Sequence, residues 1–116
     1  MTYVDGFVAA VPKANKELYR THAHAAAALI KEWGAIRVVE NWGDDVPKGE
    51  NNDFYGAVQA KDDEVVVFSW IEYPDKATRD VVMKKMMEDP AMANVPDMPF
   101  DGKRMIFGGF ATLFAV

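Results

Sequence analysis

Three polar side chains could act as acids, bases or ligand anchors, and each lies in an otherwise apolar segment. They are His22, Glu40 and Arg79. A carboxylate beside a large aromatic side chain can have a raised pKa and serve as a general base, and Glu40 lies two positions before Trp42. An inward carboxylate needs a partner, and Arg79 is the obvious one. That pair would either anchor a ligand or fix a helix to the sheet, and a solvated turn is the alternative for Glu40.

His22 shares a helical stripe with Leu18 and Leu29, so its imidazole is expected to face the sheet as a base or a ligand. A hydrogen-bonded core histidine is the alternative. His24 lies elsewhere around the helix, and two histidines two positions apart do not share a helix face. We therefore predict no metal site. The sequence also has no glycine-rich phosphate loop and no catalytic triad, and no cofactor is predicted.

Three aromatic side chains complete the candidate site, namely Tyr3, Trp42 and Trp70. They could stack on a planar ligand or simply pack in the core. With the three polar residues they predict a small-molecule pocket between the helices and the sheet. Asp5 and Glu72 are also acids in central strands. Strands one and three are expected to run parallel, which would place these two acids at opposite ends of the sheet.

The elements that position these residues occur in the order strand-helix-strand, and this order is repeated once. Runs rich in β-branched and aromatic residues predict the strands, and helical periodicity with capping and terminating residues predicts the helices. The strands are residues 3–11, 36–42, 65–73 and 103–114, and the helices are residues 13–33 and 75–89. Asp53 could cap a short helix, which is favoured over a strand through residues 54–60. The pair Gly108-Gly109 predicts a bulge or a close approach of another backbone.

Two strand-helix-strand units with right-handed crossovers pack most simply as a ferredoxin-like βαββαβ arrangement. We predict a single α+β domain over residues 1–116. Its four-stranded antiparallel sheet carries both helices on one face, with strands one and three at the centre.

The third strand is apolar on both of its faces. One face carries Val66, Phe68 and Trp70, and the other carries Val65, Val67 and Ile71. Two helices cover only one face of a sheet, so the other face needs a second cover. We predict a homodimer that packs open sheet face to open sheet face around a two-fold axis. The alternative is that the Phe54 segment or residues 90–100 fold over this face within one chain.

Composition excludes several classes of protein. The chain has 116 residues, which suits one domain, and its 13 basic and 18 acidic residues give 13 − 18 = −5, a charge that repels nucleic-acid phosphates. There is no cysteine, which excludes disulfides and thiolate chemistry. No stretch reaches the ~20 apolar residues of a membrane span, and no secretory signal is evident. We expect a cytoplasmic protein that binds neither nucleic acid nor membrane.

Three stretches resemble the YbaA-like family of small bacterial proteins of unknown function, within the dimeric α+β barrel group. They are residues 3–8, residues 34–47 with Trp42-Gly43-Asp44-Asp45, and residues 67–90 with Ser69-Trp70-Ile71-Glu72. The resemblance spans nearly the whole chain. It implies a ferredoxin-like subunit that pairs into a barrel-like dimer, and it implies no established activity. The wider group includes cofactor-free monooxygenases, isomerases, haem-dependent enzymes and stress proteins, so the fold alone predicts no chemistry.

Two functions are therefore open, and whether the protein is an enzyme is undecided. The first is a small-molecule pocket in each subunit, with cofactor-independent oxygenation or isomerisation by analogy with the barrel group. The second is a non-enzymatic, stress-associated or protein-interaction module. Its contacts would come from the loops at residues 44–53 and 89–101.

Overall fold

The computed structural model describes residues 2–116 and contains, in that range, one four-stranded antiparallel sheet with the strand order β2-β3-β1-β4. The strands are β1 (Tyr3–Pro12), β2 (Arg37–Trp42), β3 (Glu64–Tyr73) and β4 (Ile106–Ala111), and the helices are α1 (Lys16–Glu32), α2 (Phe54–Ala57) and α3 (Lys76–Glu88). Short 3-10 turns occupy Lys13–Asn15, Pro90–Asn94 and Gly102–Arg104. This arrangement confirms the predicted ferredoxin-like fold with β1 and β3 at the centre.

The two central strands run antiparallel, with Asp5 opposite Ile71 and Val4 opposite Glu72. The prediction that they run parallel is wrong. The crossover through α1 makes β1 and β2 parallel, and the connection from β2 to β3 reverses the chain, so β3 must oppose β1. Asp5 and Glu72 therefore lie at the same end of the sheet. Alternation of side chains along a strand places them on opposite faces.

Both long helices pack on one face of the sheet. Buried residues from α1, α3 and β3 form one part of the core there, including Ile30, Val82, Ile71 and Tyr73. Asp75 caps α3 by accepting a hydrogen bond from the Thr78 amide at 2.7 Å, as predicted from its position before the helix. The helix layer thus stands over the odd-numbered residues of β1 and β3.

The buried face of α1 is one position away from the predicted stripe. Tyr19, Ala23 and Ile30 are its buried residues, whereas Leu18 is 60% exposed. The expectation that Leu18 faces the sheet is wrong, because the run of alanines makes the helix apolar on most sides and its periodicity does not separate two neighbouring faces. His22 is half-buried beside the corrected stripe.

The second face of the sheet is covered at one end only. Asp53 caps α2 by accepting a hydrogen bond from the Gly56 amide at 2.6 Å, which confirms the short helix in this segment. Val58, just after α2, packs with Val8, Ala10 and Val66. The rest of the face stays open, and we call this uncovered part the open face: its exposed apolar side chains are Phe68 (47%), Ile106 (46%) and Phe110 (61%).

Residues 90–100 lie on the helix side of the molecule and do not cover the open face. Asn15, just before α1, donates its Nδ2 to the Pro99 carbonyl oxygen at 2.9 Å, and the Phe100 ring lies 5.6 Å from the Tyr19 ring. The α2 segment, one of the two intrachain covers considered from the sequence, therefore covers part of the second face. Residues 90–100, the other cover considered, do not lie on it.

Gly109 lies where two side chains approach the backbone of β4. The pairing of β1 with β4 runs without interruption through Gly108 and Gly109, so the predicted bulge is wrong. A Cβ atom at position 109 would lie 2.8 Å from Arg79 Nη2 and directly against the Tyr3 hydroxyl. The close approach expected here comes from side chains rather than from another backbone.

Gly109→Ala is expected to destabilise the fold by about 1–2 kcal/mol, because Arg79 and Tyr3 must move aside. Gly108→Ala is the matched control, since a Cβ there meets only the Phe110 ring at 3.5 Å, an ordinary contact. The control should change stability by less than about 0.5 kcal/mol. Urea unfolding followed by circular dichroism gives both values. Equal losses in the two variants would contradict this account of Gly109.

Candidate functional site

A cavity of about 260 Å³ lies between α1, α3 and the sheet, and we call it the main cavity. α1 contributes three small side chains to its wall, namely Ala23, Ala26 and Ala27. The remaining wall is almost entirely apolar. Its largest members are four methionines and three phenylalanines: Met83, Met86, Met98, Met105, Phe7, Phe100 and Phe107.

Four side chains on this wall are polar or charged, namely Asp5, Tyr19, His22 and Glu40. A pocket with an apolar wall and a few convergent polar groups is typical of small-molecule sites, where the polar groups orient the ligand. Sequence reasoning had selected His22 and Glu40 from this set. It had not selected Tyr19 or Asp5 as site residues.

Glu40 is fixed by two hydroxyl groups. It lies on β2 opposite Ser69 of β3, and Ser69 Oγ donates to Glu40 Oε1 at 2.5 Å. Tyr19 Oη of α1 donates to the same oxygen at 2.6 Å. Among residues 2–116, no donor contacts the second oxygen, Oε2. One carboxylate oxygen of Glu40 is therefore engaged, and the other is not engaged by any donor in that range.

The pKa of Glu40 is raised above its ordinary value because the protein around it desolvates the charged form. The hydrogen bonds from Ser69 and Tyr19 and the attraction of His22 oppose this effect. By surface area the Glu40 side chain is nevertheless exposed to solvent, and it contributes to the walls of the main cavity and of a second one. Burial likewise raises the pKa of Tyr19, with the neighbouring Glu40 charge adding to the effect. Tyr19 therefore stays a neutral phenol and donates a hydrogen bond to Glu40.

His22 has a defined tautomer. Its Nδ1 lies 2.6 Å from the carbonyl oxygen of Pro96. A carbonyl oxygen only accepts, so Nδ1 carries the hydrogen and Nε2 of the neutral ring is an acceptor. The contact ties α1 to residues 90–100, which supply Met98 and Phe100 to the cavity wall.

Arg79 pairs with Asp5 and not with Glu40, so the predicted Glu40–Arg79 pair is wrong. Arg79 Nε lies 3.0 and 3.2 Å from the two Asp5 oxygens, and Nη2 lies 2.9 Å from Oδ1. Tyr73 Oη also donates to Asp5 Oδ2 at 2.8 Å. Arg79 lies in α3 near the end of β3, where Asp5 of β1 pairs with Ile71. Glu40 lies on β2, on the other side of β3, where it pairs with Ser69. The hydrogen bonds to Asp5 raise the pKa of Arg79 further, so it remains a cation.

The predicted aromatic residues occupy three different places. The Tyr3 ring lies under the Arg79 guanidinium, with 5.3 Å between the centroid and Cζ. Trp42 lines a second, smaller cavity of about 160 Å³, which shares Tyr19 and Glu40 with the main cavity. Trp70 lies on the opposite face of the sheet, where its Nε1 donates to Glu72 Oε2 at 2.9 Å. The structure thus brings together His22 and Glu40 and separates Tyr3, Trp42, Trp70 and Arg79 from the main cavity.

Ser69 was not predicted as a site residue, although the sequence indicated its role clearly. It is fully buried in β3, on the same face as Val67 and Ile71. A hydroxyl at an inward position of an apolar strand needs a buried partner, and Glu40 lies directly opposite. Tyr19 gave a weaker signal, because it could be placed only once the buried face of α1 was known.

Within residues 2–116, no three His, Cys, Asp or Glu side chains are grouped so that they could hold a metal ion. Across the same range, no helix combines the length and apolar character needed to cross a membrane.

The model of a family described as "Protein of unknown function (DUF1428)" matches residues 2–102. The chain belongs to this family. Uncharacterized protein YbaA of Escherichia coli strain K12 and that of Shigella flexneri are each 57% identical to it over 114 residues, with 97% of both chains covered. The predicted resemblance is therefore confirmed for nearly the full length.

Solved structures place this DUF1428 chain in the ferredoxin-like fold. A dimeric ferredoxin-like protein from an uncultured marine organism matches with a TM-score of 0.59 and 13% identity, covering 99% of this chain and 98% of the other. The protein Rv0793 of Mycobacterium tuberculosis matches with a TM-score of 0.54 and 12% identity over the same shares. At such low identity these matches show the fold alone.

Proposed function

We propose that the protein is cytoplasmic and binds a small organic ligand in the main cavity without a cofactor. The observation that carries the proposal is Glu40, held by Tyr19 and Ser69 through one oxygen while the other has no donor among residues 2–116. The apolar wall would desolvate the body of the ligand, and the polar groups would orient it. The absence of cysteine from the sequence is compatible with that location.

Proton transfer is the chemistry that this site supports best. Glu40 Oε2 accepts a proton from the bound ligand, and the raised pKa of Glu40 brings that acceptance closer to neutral pH. His22, with Nδ1 engaged by Pro96, offers Nε2 as a second acceptor in the same cavity. Arg79 acts as a positioning residue, since it reaches the cavity only through Asp5.

Filling the main cavity tests the proposal. Ala26 lines it from α1, so Ala26→Phe should place a ring in the ligand volume and weaken binding of a bicyclic aromatic probe, 2-naphthol, by about tenfold or more. Ala28→Phe is the matched control, because Ala28 is exposed on the same helix and lies outside the cavity wall. Calorimetric titration measures both, and circular dichroism verifies folding. Equal affinities for the two variants would contradict the proposed location.

We also propose that two copies pair through the open face. The support is its exposed apolar area around Phe68, Ile106 and Phe110, which α2 leaves uncovered. A self-complementary patch of this kind suits a two-fold dimer. The ferredoxin-like neighbour from the marine organism is described as dimeric, which lends the proposal further support.

A further inference from the structure

The wall of the main cavity carries carboxylates but no permanent cation. Among residues 2–116, its lining includes Asp5 and Glu40 and contains no lysine or arginine. Asp5 is neutralised by Arg79, whose Nη2 lies 2.9 Å from its Oδ1. Glu40 has no ion-pair partner within that part of the chain, so its charge faces the cavities without a counterion in contact.

Two cationic side chains, Lys16 and Arg20, line the smaller cavity together with Tyr19 and Glu40. Lys16 Nζ lies 5.4 Å from the centroid of the Trp42 ring, and Arg20 Nε lies 3.1 Å from Glu17 Oε2. Both therefore have partners of their own. Neither lines the main cavity.

The remaining oxygen of Glu40, Oε2, limits which polar group a ligand can place against this wall. Tyr19 and Ser69 occupy Oε1, so a hydroxyl or N–H group of a ligand would satisfy the acceptor that remains. A carboxylate or phosphate at the same place would meet a like charge, and no lysine or arginine of the cavity wall compensates it.

Resting on the function proposed above, we propose that the main cavity selects uncharged, mainly apolar molecules that donate a hydroxyl or N–H hydrogen to Glu40, and that it rejects carboxylates and phosphates. The site thereby distinguishes ligands of similar shape by the charge and donor capacity of one substituent.

Three naphthalene probes of similar size test this selectivity by calorimetric titration near neutral pH. The first is 2-naphthol, an uncharged donor, the second is 2-naphthoate, an anion, and the third is 2-methoxynaphthalene, which has no donor. We expect 2-naphthol to bind about tenfold more tightly than 2-naphthoate and several-fold more tightly than the ether, because each competitor leaves Oε2 unsatisfied.

Glu40→Gln should invert this preference. The hydroxyls of Tyr19 and Ser69 would hold the amide oxygen at the Oε1 position, so the amide NH₂ group would replace Oε2 and present a donor. Binding of 2-naphthol should weaken several-fold and that of 2-naphthoate should strengthen. Glu50→Gln makes the same charge change in an exposed loop and should leave all three affinities unchanged.

The outcomes separate this inference from the proposed function. Wild-type protein that binds 2-naphthoate as tightly as 2-naphthol would overturn the inference and leave a ligand site in place. Failure of all three probes to bind would overturn the proposed function, and the inference with it. The wild-type comparison needs no variant, so it decides the question even if Glu40→Gln folds poorly.

Discussion

Glu64→Gln is expected to destabilise the fold by about 2–3 kcal/mol, because it breaks the bidentate ion pair with Arg104. This pair joins the start of β3 to the turn before β4. Arg104 Nη1 and Nη2 lie 2.7 and 2.8 Å from the two Glu64 oxygens, in the bidentate geometry that gives the strongest pairs. Glu64 is 7% exposed. We expect a smaller loss of stability than for a deeply buried pair, because solvent at the nearby surface screens part of the Glu64–Arg104 interaction. Urea unfolding followed by circular dichroism measures the change.

Glu17→Gln is the matched control for this prediction. Glu17 also pairs with an arginine, at 3.1 Å, but its side chain is 76% exposed. Pairs of this kind contribute little, so the control should stay within about 0.5 kcal/mol of wild type. A loss at Glu64 no larger than the loss at Glu17 would contradict the role given to the Glu64–Arg104 pair.

The same pair makes stability depend on acid pH. The hydrogen bonds from Arg104 lower the pKa of Glu64 from 4.5 to about 2 in the folded chain. A carboxyl group whose pKa is depressed by folding stabilises the fold above its unfolded pKa, and this contribution is lost as pH falls toward the folded value. Wild-type stability should therefore decline between about pH 5 and pH 2. Glu64→Gln should show a shallower decline over this range when unfolding is measured at each pH.

Phe110→Asp is expected to convert a dimer into monomers, the largest change foreseen for the assembly. Phe110 lies on the open face, 61% exposed, with its ring over Gly6 and Gly108. A carboxylate there would face its two-fold copy across an apolar interface and lose its hydration. Sedimentation at micromolar concentration should give twice the chain mass of 12.9 kDa for wild type and the single chain mass for the variant.

Met87→Asp is the control for the assembly, because Met87 is 83% exposed on α3, in the helix layer. It should remain dimeric. Wild-type protein that sediments as a single chain, or a Phe110→Asp variant that stays dimeric, would contradict pairing through the open face.

Local patterns accounted for most of the fold. Runs of β-branched and aromatic residues located all four strands, and Asp53 and Asp75 marked the starts of two helices, because these features act over a few residues. The face of α1 was placed one residue away from its true position, since its alanines obscure the helical periodicity. That face decides which side chains, Tyr19 among them, reach the main cavity.

Contacts between distant parts of the chain were harder to predict. Glu40 could be selected because an acid at an inward strand position demands a partner, but Tyr19 and Ser69 supply that partner and Arg79 does not. Arg79 instead reaches Asp5, whose position beside the start of α3 follows from the antiparallel register of β1 and β3. Strand direction therefore decides the pairing, because parallel central strands would place Asp5 at the opposite end of the sheet from Glu72 and the start of α3.

A crystal structure of the protein purified from its own host tests the central claim most directly, which is that the main cavity holds a small molecule against Glu40. We expect non-protein density between α1 and the sheet, within hydrogen-bond distance of Glu40 Oε2 in wild type and absent from Ala26→Phe. A wild-type cavity closed by its own methionine and phenylalanine side chains, with no space beside Glu40, would contradict the claim.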